Sequence, residues 1–172
     1  MGIGEIFLCR VESHPDEHTA PDSIGFDAAV EFQPDWGALP KPLYRSRFWR
    51  YATRLGLLSK AYTRHNVYEY ASVVDVALKK PVPPYLRFPC VTPSWDNSAR
   101  RKTGAAIFRA ASPQLYGHWL QQVVRRERAN GKRESLIFIN AWNEWAEGNH
   151  LEPDMRHGLA YLEATQKALE LS

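Results

Sequence analysis

The chain has 172 residues, with 22 Lys and Arg against 19 Asp and Glu for a formal net charge of +3, and 44% of its residues are hydrophobic. That composition excludes a disordered chain, and so mild a basic surplus excludes nucleic-acid binding driven by bulk charge, which needs a concentrated basic face. No apolar run approaches the roughly 20 residues of a spanning helix, and the opening MGIGEIFLCR lacks a basic region followed by an apolar stretch, so a cytoplasmic protein without a membrane span is expected.

The first apolar run, EIFLCRV (5–11), and the second, FDAAVEF (26–32), read as buried strands. Residues 33–67 have no clean period and read as a long loop with a helical turn or two. Within them KPLYRSRFWRYATR mixes basic and aromatic residues. It reads as a helix with an aromatic inner face and a basic outer one rather than as a stacking groove for single-stranded nucleic acid. YEYASVVDVALKK (68–80) has helical spacing, and YLRFPCVTP (85–93) is a third strand. In SPQLYGHWLQQVVRRERANG (112–131), Ser112 and Pro113 make a helix start and Gly131, after several Arg, a stop. SLIFINAW (135–142) is the fourth strand and GLAYLEATQKALEL (158–171) a closing helix. Strands alternating with helices predict a single α/β domain with about four parallel strands and helices packed outside them. A complete (βα)8 barrel takes about 250 residues, so the chain suffices for half a barrel or a small open sheet. Cys9 and Cys90 share no CxxC spacing and read as two small buried hydrophobes.

The last strand runs directly into A-W-N-E-W-A-E-G-N-H-L-E-P-D, which gathers Glu144, Glu147, Glu152 and Asp154 with Trp142, Asn143, Trp145 and His150. In parallel α/β folds ligands sit at the carboxyl ends of strands, so these side chains face a cleft. Chemistry at a glycosidic bond needs two carboxyl groups about 5–10 Å apart, one ionised and one protonated. Glu144 and Glu147 are the candidate pair. Trp142 and Trp145 can stack on the apolar face of a sugar and desolvate a carboxyl, while Asn143, His150 and Glu152 are candidate substrate contacts. By spacing alone, Glu147 and Glu152 equally suit a place near the N-terminus of the final helix, where negative charge is favoured. Glu144, Glu147 and His150 lie three apart but lack the second His or Asp pair of a metal site, and no metal or other cofactor is expected. Trp95, Asp96 and Asn97 follow the third strand and would stand at the same end of the sheet, with Asp96 able to accept from adjacent sugar hydroxyls. Arg100 and Arg101 could bind a phosphate or pair with Asp96. Asp27 and Glu31 are each readable as strand-end residues. No Gly-rich phosphate loop or DxD pair for a nucleotide sugar is present.

The string FINAWNEWAEGNHLEPD, followed by GLAYLEA, resembles the closing signature of the WbsX-like proteins of bacterial lipopolysaccharide and surface polysaccharide biosynthesis, which are related to glycoside hydrolase family 99. GFDAAVEFQP (25–34) is similar to that family's strand-end segment with an acidic residue, and VTPSWDNSARR (91–101) to its next-to-last strand end. The resemblance implies the carboxyl half of a (βα)8 barrel, residues 1–172 as one partial domain, acting on an oligosaccharide or polysaccharide. It implies that Glu144 is the base towards the sugar 2-hydroxyl and Glu147 the acid/base at the leaving oxygen, with retention through an anhydro sugar and without metal. It also implies that Asp27 points into the barrel. Ala146 stands where the hydrolases commonly have His. The barrel's first half is absent, leaving two open sheet edges that a second copy or a missing N-terminal half would close. An inert remnant and a non-catalytic glycan-binding module are the alternatives to an enzyme that cleaves or transfers glycosidic bonds.

Overall fold

The structure is a computed structural model that describes residues 4–14, 17, 19–130 and 136–170. It is a mixed α/β fold whose parallel strands follow the apolar runs. Strand β1 (Cys9–Glu12) pairs with β2 (Ala28–Glu31), which pairs in turn with β4 (Arg87–Phe88). Pro89 interrupts the ladder, since proline has no N–H to give, and the same segment resumes as β5 (Cys90–Val91), paired with β7 (Phe138–Ile139). The four expected strands thus lie side by side, parallel and in chain order.

A second parallel pair, β3 (Asn66–Glu69) with β6 (Ala106–Arg109), was not expected. β3 takes up the end of the supposed loop 33–67 and the first residues of the supposed helix 68–80, so helix α3 is confined to Tyr70–Leu78. The remainder of that loop holds two helices, α1 (Arg47–Arg54) and α2 (Ala61–Arg64). The aromatic residues of α1 do not all face inward. Trp49 finds Tyr62, but Phe48 and Tyr51 are exposed.

Helix α4 (Pro113–Ala129) begins as its sequence requires: the Ser112 side chain accepts from the Leu115 N–H, and Pro113 occupies the first turn. The expected stop at Gly131 lies outside the described residues. Tyr116, Trp119, Leu120, Val123 and Val124 form the buried stripe of α4, at the i, i+3, i+4, i+7 spacing of an amphipathic helix. They pack with Tyr70, Val73 and Val74 of α3 and Tyr161 of α5 (Ala160–Glu170) over Val91. Removing a side chain such as Trp119 from this core would cost about 3–5 kcal/mol. On the sheet a smaller cluster, Ala28, Val30 and Phe88, is buried with Cys9 and Leu86 against it. Its rim is open: Phe7 and Phe138 flank Phe88 at ring distances of 6.4 and 6.3 Å, yet both are exposed. Among the described residues no helix is long and apolar enough to cross a membrane.

Cys90 is buried beside Glu31, and burial first, then the negative charge of Glu31, push its thiol up to about 12. The thiolate is the reactive form. Titration with a thiol reagent at mild alkaline pH should therefore label Cys9 in the native chain and Cys90 only after denaturation.

Candidate functional site

The carboxyl end of the sheet is marked by a contact between chain segments that follow two strands: Asn140, after β7, donates from Nδ2 to the carbonyl of Gln33, after β2, at 2.7 Å. Beyond Asn140 the chain forms a tight hairpin. Strands β8 (Asn143–Glu144) and β9 (Asn149–His150) pair antiparallel, and a 3-10 turn over Trp145–Glu147 joins them through Gly148. The Trp142 carbonyl accepts from the N–H groups of Leu151 and Glu152, both at 2.9 Å, and closes the base of the hairpin.

The hairpin is fastened to the segment after β5. The Asp96 N–H donates to the Glu147 carbonyl at 2.7 Å, and the Ser94 hydroxyl donates to the Gly148 carbonyl. Gly148 has a φ of +55°, and a Cβ placed there would lie 3.2 Å from Cβ of Asp96 and 3.3 Å from its carbonyl oxygen. The position demands glycine for both reasons. Beneath it Asn149 is fully buried, and its Oδ1 accepts from the Thr92 hydroxyl at 2.9 Å. The Thr92 carbonyl accepts in turn from the Tyr70 hydroxyl, so a short polar chain ties the hairpin to α3.

Glu144 is exposed on β8. Glu147 is half-buried, and its Oε1 takes a hydrogen bond from Nη1 of Arg100 at 2.9 Å. Arg100 was expected on a phosphate or on Asp96; the structure puts it on Glu147 instead. Trp145 stacks on the His150 ring at 3.8 Å and 20°, and its Nε1 donates to Glu152 at 2.6 Å. His150 Nε2 lies 2.9 Å from Oδ2 of Asp154, whose Oδ1 accepts from the N–H groups of Arg156 and His157. Burial pushes the Asp154 carboxyl up, but the hydrogen bonds from His150, His157 and Arg156 together outweigh it and hold the group below the ordinary carboxylate range. Neither Glu147 nor Glu152 caps the last helix, which begins only at Ala160. Trp142 and Asn143 are exposed on the hairpin, and the stacked Trp145 keeps half of its surface exposed.

Trp95 is only 4% exposed, packed edge-on to Trp36 at 5.5 Å, and its Nε1 has no partner. Asn97 is also buried and accepts from the Ala106 N–H, which joins this segment to β6. Asp96 is exposed and turns one oxygen to the Ser98 N–H. Trp95, Asp96, His150 and Asp154 line one cleft of about 240 Å3, bounded on its other side by Ala110, His157 and Tyr161. Ala110 adopts φ +58°, a left-handed conformation uncommon for a residue with a Cβ, held here at the cleft edge.

Asp27 is not part of this assembly. It stands before β2, at the amino end of the strand, where Oδ2 accepts from the Leu8 N–H at 2.7 Å. The residue at the carboxyl end is Glu31, buried, with Lys80 bridging it to Asp35. Sequence reasoning missed Ser94, whose hydroxyl secures the hairpin through a main-chain carbonyl, and the backbone donors at Arg156 and His157; in each bond at least one partner is a main-chain atom, which leaves no signature of residue type. Among the described residues no group of His, Cys, Asp and Glu is arranged to hold a metal ion.

Two outcomes follow for the hairpin. Gly148→Ala should destabilise the chain by about 1–3 kcal/mol in urea unfolding, from left-handed strain and the Asp96 contact. Asp154, with its folded pKa depressed, contributes stability that is full above its ordinary value of 3.8 and is lost as pH falls through the lower folded value. Asp154→Asn should flatten the acid limb of the stability–pH curve and leave the neutral region's slope unchanged.

The profile of the family described as "Glycosyltransferase WbsX" matches residues 1–165. The chain is 40% identical over 169 residues to "Uncharacterized protein WxcX" from Xanthomonas campestris pv. campestris, in strain B100 and in strain ATCC 33913 alike. That alignment covers 98% of this chain and 23% of the relative, so the chain spans about a quarter of the length of these relatives. A solved structure titled "Glycoside hydrolase-like protein" superposes with a TM-score of 0.53 at 13% identity, over 96% of this chain and 44% of that one. At that identity the likeness is one of fold. The match over nearly the whole length places this chain in the WbsX glycosyltransferase family.

Proposed function

We propose that this chain is the carboxyl half of a (βα)8-type barrel that cleaves or transfers glycosidic bonds in bacterial surface-polysaccharide metabolism. The observation that carries the reading is the placement of Glu144 and Glu147 on one hairpin at the carboxyl end of a parallel sheet, where such folds carry their chemistry. Glu144, exposed, is the base towards a sugar 2-hydroxyl. Glu147 is the acid/base at the leaving oxygen, and its Arg100 partner positions the carboxyl until substrate arrives. Trp142, exposed beside them, offers a stacking face for a sugar ring, and Asp96 and Asn143 offer hydrogen bonds to hydroxyls. The family's description favours transfer, whereas the hydrolase-like fold of the superposed structure and the paired carboxyls favour cleavage or transglycosylation.

The consecutive parallel strands and the exposed apolar rim at both sheet edges, Phe7 and Val11 on one side, Leu136 and Phe138 on the other, fit a sheet that further strands complete. The same rim favours a second reading, in which the isolated chain binds glycan without turning it over until its barrel is closed.

The test is mass spectrometry of α-mannoside and O-antigen oligosaccharides incubated with the purified chain and with Glu147→Gln. The expected result is product from the native chain, reduced about 10²–10⁴-fold in the variant. A folded chain that binds these glycans, forms no product and keeps its affinity in Glu147→Gln is a binding module and not an enzyme on its own.

A further inference from the structure

Between Asp35 and Glu69 the sequence contains seven Lys and Arg, namely Lys41, Arg45, Arg47, Arg50, Arg54, Lys60 and Arg64, and not one acidic residue. Lys41, Arg47, Arg50, Arg54, Lys60 and Arg64 are exposed. The two carboxylates that bound the stretch are already engaged, Asp35 by Lys80 and Glu69 by Arg109. The positive field over α1 and α2, which pack on one another, is therefore not offset from within the segment.

The inner face of α1 is fixed. Ala52 is buried, Trp49 lies 4.7 Å from the Tyr62 ring, and the Arg109 guanidinium sits 5.6 Å over Trp49. The outer face carries Phe48, Tyr51 and Leu55 at 70, 65 and 56% exposure, with Leu57 at 73% just beyond the helix. Phe48, Tyr51 and Leu55 repeat at i, i+3, i+7, which sets them in one row along the helix, and Arg47, Arg50 and Arg54 repeat at the same spacing in the row beside it. An apolar row alone would suit many partners. An apolar row flanked by an unopposed cationic row selects a surface that is negative outside and apolar just beneath.

We propose that α1 docks this chain on the surface of an anionic phospholipid bilayer. The Phe48, Tyr51 and Leu55 row enters the headgroup boundary, and the three Arg lie among the anionic headgroups. Single-stranded nucleic acid matches the charge but not the apolar row. Base stacking needs rings, and although Phe48 and Tyr51 present them, Leu55 and Leu57 extend the row without any and the one Trp of the helix is turned inward, so the row as a whole fits an acyl boundary better than bases. A contact resting on one short helix and a handful of cations is reversible and screened by salt. It is independent of the reaction assigned to Glu144 and Glu147.

Co-sedimentation of the purified chain with phosphatidylcholine vesicles, and with vesicles that also contain phosphatidylglycerol, tests this. The chain should pellet with the phosphatidylglycerol vesicles only and be released as salt rises from about 0.1 M to about 1 M. The triple change Arg47→Gln, Arg50→Gln and Arg54→Gln should weaken partitioning about a hundredfold. Phe48→Ser with Tyr51→Ser should weaken it while keeping its salt dependence. All five side chains are exposed, so the variants should keep the circular dichroism of the native chain. Equal partitioning into both vesicle types, no partitioning into either, or full retention by the triple variant overturns the proposal. So does tight binding of a labelled single-stranded oligonucleotide by a chain that leaves anionic vesicles alone.

Discussion

The main chain at Trp95 and Asp96 is held from two sides, and the geometry of the site depends on that grip. On one side the Trp95 carbonyl accepts from the Phe108 N–H of β6 at 2.7 Å. On the other the Asp96 N–H reaches the Glu147 carbonyl, and Gly148 lies so close to Asp96 that no side chain fits between them. Each backbone hydrogen bond contributes only about 1 kcal/mol net. Together with the glycine contact, though, they leave the hairpin one seat on the end of the sheet. Glu144 and Glu147, the proposed catalytic pair, are then carried by a rigid element, as precise placement of reacting groups requires.

The grip also explains the role of the short strands. β6 gives Ala106 and Phe108 to the core, and it is also the strut against which the Trp95–Asn97 segment is pressed, through Phe108, Ala106 and the bridge between Asp96 and Ile107. β3 supports β6 in turn, and Glu69 with Arg109 closes the far end of that pair. The polar chain from Tyr70 through Thr92 to Asn149 does the same from below. These bonds partner the Tyr70 and Thr92 hydroxyls and the Asn149 Oδ1, while the Asn149 Nδ2 is buried without a hydrogen-bond partner; buried groups that are partnered favour one arrangement over several.

Much of this was legible in the sequence, and the remainder was hidden for identifiable reasons. The four central strands announce themselves because each is a short run dominated by Ile, Val, Phe, Leu and Ala and bounded by loop residues. The start of α4 is equally plain, since Ser112 and Pro113 act on their immediate neighbours. β3 and β6 are four-residue strands whose pairing joins Asn66 to Ala106 across the chain, and no local pattern signals a contact so distant in sequence. Trp95 has the composition of a sugar platform and the environment of a core residue; a Trp suits both, and only packing separates them. Asp27 and Glu31 sit in one run, and chain direction alone puts Asp27 before β2 and Glu31 at its carboxyl end. The outward Phe48 and Tyr51 were obscured for the opposite reason: aromatic residues are normally inside, and periodicity says which side chains share a face without saying which face is covered.

The central claim is that the hairpin bearing Glu144 and Glu147 is locked to the segment after β5 in the free chain. Native-state hydrogen exchange at the Asp96 amide, read by NMR, tests it most directly. The account predicts protection comparable to that of the buried Phe108 amide of β6, because both hydrogen bonds belong to one grip. An Asp96 amide exchanging as fast as those of exposed loops, beside a protected Phe108, would contradict it and leave the two glutamates on a hairpin without a fixed seat.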